Sequence, residues 1–85
     1  MPERQVKVES KCGLHARPAT MFVQTAAKAV CDVTVAKSGG APVNAKSMLA
    51  ILGLDARCGE VITIAADGED AERVVDDLAM LVTEG

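Results

Sequence analysis

Glu60-Val61-Ile62-Thr63-Ile64-Ala65-Ala66-Asp67-Gly68-Glu69-Asp70 carries the chain from a strand, through a turn, to the start of a helix. The β-branched run from Glu60 to Ala66 is the most strand-like segment of the protein. Asp67-Gly68 supplies turn chemistry, and Glu69-Asp70 place negative charge where a helix dipole favours it. Beyond the turn, Ala71, Val74, Val75, Leu78 and Val82 fall on one helical face. A strand followed at once by an amphipathic helix needs a sheet for the one and a covered face for the other.

Working outward, residues 4–10 alternate, with Val6 and Val8 on one side, and read as a strand. Ser10 to Gly13 is turn material, and from Ala16 the period becomes helical. Ala19, Phe22, Val23, Ala26 and Val30 form its apolar stripe, and Pro18 suits the first turn, where its missing N–H has no intrahelical partner. Residues 32–37, with Val33 and Val35, predict a second strand, and Ser38-Gly39-Gly40 a hairpin turn. A short strand over 41–44, weakened by Pro42, belongs at a sheet edge. Ser47 can cap a short helix through Leu52, with Gly53 ending it.

The element order is therefore βαββαβα, an α+β sandwich of helices on one face of a mostly antiparallel sheet. Its other face is expected to be more open to solvent. Periodicity alone leaves other split βαβ arrangements possible, the ferredoxin-like fold among them.

Bulk properties narrow the function. Eighty-five residues, read here as a single domain over 1–85, should bury roughly 60–70% of the unfolded surface. Aromatic residues are 1% of the chain, so the core must be aliphatic. A net charge of −3 and the lack of any basic run or aromatic platform argue against nucleic-acid binding. No apolar run reaches the ~18 residues of a membrane span, and the N-terminus does not resemble a signal peptide. Membrane insertion is not expected, and the cytoplasm is the expected location. Cys12, Cys31 and Cys58 lack close ligand spacing, so they read as reduced thiols rather than a metal site, two of them as small core residues.

The segment with chemistry is Cys12-Gly13-Leu14-His15-Ala16-Arg17-Pro18-Ala19, which holds the only histidine. A histidine at a helix N-terminus stands beside unpaired N–H groups and the positive end of the dipole. Arg17 adds a guanidinium that binds phosphate oxygens in a forked geometry. A neutral imidazole is a competent nucleophile, and its ordinary pKa of about 6.5 leaves a neutral fraction near neutrality. By spacing alone, a histidine that only caps a surface helix meets the same pattern. No catalytic triad can be assembled around it. Gly40 to Ser47 comes nearest to a nucleotide-binding loop, but Ala45 stands where a glycine is required. With no nucleotide, cofactor or metal site in view, a phosphoryl group would have to arrive from another protein.

Gly13-Leu14-His15-Ala16-Arg17-Pro18-Ala19 resembles the phosphorylation loop of the HPr family, the histidine phosphocarriers of the bacterial sugar phosphotransferase system. Asn44-Ala45-Lys46-Ser47-Met48-Leu49 is similar to the family's regulatory serine region, and Gly59 to Asp70 matches a third family segment. The resemblance is colinear over nearly the whole chain. It implies an open-faced β-sandwich, with four antiparallel strands covered on one side by three helices.

It also implies that His15 is phosphorylated on Nδ1 by enzyme I and passes the group to IIA domains of sugar permeases. Arg17 would balance the phosphate charge and Pro18 fix the loop geometry. Ser47 would be the target of an HPr kinase/phosphorylase. Met48, Leu49 and Leu52 would be a docking patch, with Met48 foremost among the exposed side chains. The protein is expected to act as a monomeric carrier, not an enzyme. Alternatives are a regulatory interaction protein of the same fold acting through Ser47, and a carrier of a nitrogen-related branch of the relay. Retention of His15 and Arg17 favours a carrier. Cys12 departs from the polar or small residue usual at its place in the loop.

Overall fold

In a computed structural model, which describes residues 2–9 and 16–83 (without the side chains of Ala16 and Arg17), the strand Val61–Asp67 is an interior strand of a four-stranded sheet. Numbered along the chain, the elements are β1 (Glu3–Lys7), α1 (Ala16–Lys28), β2 (Asp32–Lys37), β3 (Val43–Asn44), α2 (Met48–Leu54), β4 (Val61–Asp67) and α3 (Ala71–Thr83). The sheet order is β1-β4-β2-β3, and every neighbouring pair is antiparallel. This is the open-faced sandwich that the resemblance implied, and it removes the ambiguity left by periodicity.

Register explains the core. Val6 lies opposite Ile62, and Val35 opposite Ile64, so one face of the sheet presents a block of branched side chains. Val8, Val33, Val35, Ile62 and Ile64 are buried there beneath Phe22 of α1 and Val75, Leu78 and Val82 of α3. Helix α3 packs on β1, β4 and α1, while α2 packs against α1 and β3. Each fully buried Val, Ile, Leu or Phe contributes about 1.5–3 kcal/mol, which lets a core with one aromatic ring suffice. The opposite face carries Gln5, Thr63, Thr34 and Ala36, side chains suited to contact with water.

Several boundaries differ from those expected. Strand β1 ends at Lys7, although Val8 and Glu9 continue with single backbone bonds to Glu60 and Val82. Ser10 to Gly13, the expected turn, lies outside the described residues. Val30 does not extend the α1 stripe: the helix stops at Lys28, the Ala29 amide bonds the Ala26 carbonyl, and Val30 is left 79% exposed. Strand β3 is only Val43–Asn44, and β4 starts and stops one residue later than expected.

Gly53 does not end α2. The helix continues through Leu54, and Asp55 takes the left-handed C-cap conformation at φ 52, its amide bonding the Leu52 carbonyl. Asp, with a short polar side chain, is among the few non-glycine residues that tolerate that region. At the other expected turn the glycine is essential. Gly68 has φ +134, and a Cβ there would stand 3.0 Å from the Cβ of Cys31.

Candidate functional site

Helix α1 begins at Ala16, so the chain leaves His15 directly into a helix. His15 itself and Cys12 lie outside the described residues, as does the Arg17 side chain. Pro18 is the third residue of α1, within the first turn, where it removes no intrahelical hydrogen bond.

The segment before α2 is built by its own polar atoms. Asn44 Oδ1 accepts the Lys46 amide at 2.9 Å, and the Asn44 carbonyl accepts the Ser47 amide at 3.2 Å. Buried Ala45 bonds through its amide to the Val33 carbonyl at 3.0 Å, anchoring the turn to β2. Lys46 Nζ donates to the Ala29 carbonyl at 2.9 Å, just past the end of α1, where a cation is favoured by the helix dipole. Ser47 is the N-cap, with extended backbone (φ −104, ψ 117), and its Oγ accepts the Ala50 amide at 3.2 Å. The cap expected from sequence is therefore present.

Helix α2 divides its apolar residues between core and solvent. Ile51 is fully buried, and Met48 is half-buried, packed against the core. Leu49 is 85% exposed and Leu52 40%. Met48, expected to be the foremost exposed side chain, is partly buried against the core, and Leu49 is the more exposed of the two. Met48 shares a face with Ile51 at the i, i+3 spacing, whereas Leu49 and Ile51, two positions apart, point to opposite sides of the helix.

Past α2, four charged side chains converge. The Arg57 guanidinium bonds the Asp55 carboxylate at 3.1 and 3.2 Å, and the Arg57 amide donates to Glu60 Oε1 at 2.8 Å. Glu60 Oε2 lies 3.4 Å from Lys37 Nζ, which also donates to the Asp55 carbonyl at 3.4 Å. The Arg57 amide, and then Lys37, hold the Glu60 carboxyl below its usual range, while Asp55 raises the Arg57 guanidinium. Sequence reasoning took Glu60 only as the start of a strand. Its link to Lys37 joins residues distant in the chain and leaves no periodic signal, although Asp55, Arg57 and Glu60 are close enough in sequence to suggest a charged turn. Lys46 was missed for the same reason.

Of the thiols, Cys31 is a core residue, Cys58 is exposed, and both are free. Among the described residues no group of three or more His, Cys, Asp or Glu side chains is placed to hold a metal ion. No described helix is long and apolar enough to cross a membrane.

Comparison with known proteins places this architecture. The family model described as "PTS HPr component phosphorylation site" matches residues 2–84. The phosphocarrier protein HPr of Streptomyces coelicolor is 54% identical over 85 residues, covering 100% of this chain and 91% of the relative. The HPr-like protein Crh of Bacillus subtilis is 40% identical over 84 residues, 99% of this chain and 98% of that protein. The crystal structure of the phosphocarrier protein HPr from Bacillus anthracis superimposes with a TM-score of 0.91 at 42% identity, covering 95% of both chains. Fold, sheet order and full-length similarity agree, and the chain belongs to the HPr family of phosphocarrier proteins of the phosphotransferase system, carriers rather than enzymes.

Proposed function

We propose that the protein relays phosphoryl groups on His15, accepting them from phospho-enzyme I and delivering them to IIA domains of sugar permeases. The observation that carries this reading is that a chain matched by the family's phosphorylation-site model over residues 2–84 contains a single histidine. A carrier that works through phosphohistidine then has one possible acceptor. Neutral imidazole Nδ1 attacks phosphorus, forming an N–P bond as the bond to the donor's nitrogen breaks. Onward transfer repeats the exchange in reverse, returning neutral His15. Phosphoryl transfer asks mainly for positioning and charge stabilisation, which Arg17 and the first amides of α1 are placed in sequence to supply. Pro18 fixes the start of the helix. Leu49 and Leu52, with the edge of Met48, offer partners an apolar contact.

The protein works on this reading as a cytoplasmic monomer, a single domain over residues 1–85 with no cofactor, metal or nucleic acid. Incubation with enzyme I and phosphoenolpyruvate tests it. An acid-labile phosphate on the parent protein, lost in His15→Ala, is expected, and an acid-stable phosphate or none would overturn it.

Regulation through Ser47 is a second layer, supported by its position as the α2 cap. A phosphate there, placed by an HPr kinase/phosphorylase, keeps acceptor oxygens near the Ala50 amide and adds negative charge at a helix N-terminus. It leaves the helix standing while adding a dianion next to Met48 and Leu49. Phosphate analysis of native protein at Ser47 checks this, and its absence under all growth conditions removes the regulatory role.

A further inference from the structure

The entry to α2 is tied to two different layers of the fold. On the sheet side, the amide of buried Ala45 bonds the Val33 carbonyl of β2, and Asn44 of β3 accepts the Lys46 amide on its side chain and the Ser47 amide on its carbonyl. On the helix side, the half-buried Lys46 stem reaches α1, where Nζ donates to the Ala29 carbonyl at 2.9 Å. Ala29 lies one residue past α1, and its own amide bonds the Ala26 carbonyl. An ammonium at that negative helix end makes a charge-assisted bond.

Lys46 is also one residue from the first turn of α2. Ser47 caps the helix, and the Ile51 amide bonds the Ser47 carbonyl at 3.0 Å. Seven residues are too few for a helix to hold itself in water, so α2 is placed by its ends and by one packed side. On that side Ile51 is buried, Met48 and Leu54 pack against the core, and α1 lies alongside. Whatever fixes α2 against α1 also fixes where the exposed Leu49 and Leu52 stand.

We propose that Lys46 is a positioning residue for partner docking. Its Nζ bond to the Ala29 carbonyl holds the start of α2 against the end of α1, and so sets Leu49 and Leu52 as a contact surface. This rests on the carrier reading given above, in which those leucines meet partners. The donated bond, not a charge offered to the partner, is the working part. Arg can therefore replace Lys46, whereas Met, of similar length and without a donor, cannot.

The test compares the parent protein with Lys46→Met and Lys46→Arg, with circular dichroism confirming that both variants fold. In Lys46→Met the Ala50 and Ile51 amides should exchange about fivefold faster or more, with β4 amides unchanged, and the Leu49 and Leu52 methyl resonances should shift. The KM for this protein in transfer from phospho-enzyme I should rise about fivefold, with kcat within about twofold of the parent. The ratio to the parent should be the same in about 0.1 M and about 1 M salt, where exposed charges are screened beyond roughly 10 and 3 Å. Lys46→Arg should stay within about twofold of the parent throughout.

Equal impairment of Lys46→Arg and Lys46→Met would overturn the proposal. A KM rise that vanishes in 1 M salt would do so too, because Lys46 would then be meeting the partner itself. Faster exchange with an unchanged KM would mark the bond as merely structural. If the parent protein takes no phosphate, the carrier reading fails. Exchange and the leucine methyl resonances then still decide whether Lys46 positions α2.

Discussion

The Ser47 hydroxyl oxygen accepts the amide proton of Ala50 across 3.2 Å, so one side-chain atom closes the first turn of α2. Ser47→Ala removes an N-cap and should lower stability by about 1 kcal/mol. Ser47→Asp keeps an acceptor and adds favourable charge at the helix start, and it should cost less. Urea denaturation of both variants measures the difference, and equal loss would mean that the hydroxyl bond is not what holds the helix.

Gly68 and Cys31 are in close contact for a related reason. A methyl at Gly68 would sit 3.0 Å from the Cys31 Cβ and 3.2 Å from its Cα, at a φ of +134 that side chains rarely adopt. Gly68→Ala should therefore destabilise by about 2 kcal/mol or more, combining backbone strain with overpacking. Thermal unfolding checks this, and Gly39→Ala serves as the comparison, because its positive φ meets no neighbour within 4 Å.

Within α2, two positions separated by one residue should behave in opposite ways. Ile51 is fully buried, so Ile51→Ala should cost about 2–5 kcal/mol of stability. Leu49 is 85% exposed, and Leu49→Asp should leave stability within about 0.5 kcal/mol of the parent. Phosphoryl transfer by Leu49→Asp should nonetheless slow by about tenfold, equal to ~1.4 kcal/mol of docking energy. Unchanged transfer kinetics would remove Leu49 from the docking surface.

Acid should loosen the 55–60 turn in a defined window. The Glu60 carboxyl is held below its usual range, first by the Arg57 amide. A group depressed on folding stabilises above its unfolded pKa, and that contribution is lost as pH falls through the folded value. The stability gap between the parent and Glu60→Gln should therefore be present near neutrality and close below the ordinary carboxylate range. Denaturation midpoints at a series of pH values test this. Arg57 is raised by Asp55, so its contribution is complete below its ordinary pKa and fades only in strong alkali.

How far the molecule could be read in advance depended on the range of the forces involved. Ala19, Phe22 and Ala26, or Val75, Leu78 and Val82, repeat at helical spacing because one face must be buried, and each is in the core. Val30 fits the same period but misses the core, because the helix ends before it. Gly53 looked like a stop, yet the left-handed residue that a C-cap needs is supplied by Asp55. Local chemistry was legible at Ser47, whose partner is three residues away. The ties from Lys46 to Ala29 and from Glu60 to Lys37 were not, since only the folded sheet and helices bring those residues together.

The carrier role is tested most directly by a chase. The protein is charged with phosphoenolpyruvate and catalytic enzyme I, freed of both, and mixed with an unphosphorylated IIA domain. The account predicts one acid-labile phosphate per chain that passes to the IIA domain and leaves His15 free, with His15→Ala never charged. Phosphate that stays on the protein, or that charges His15→Ala equally, would contradict it.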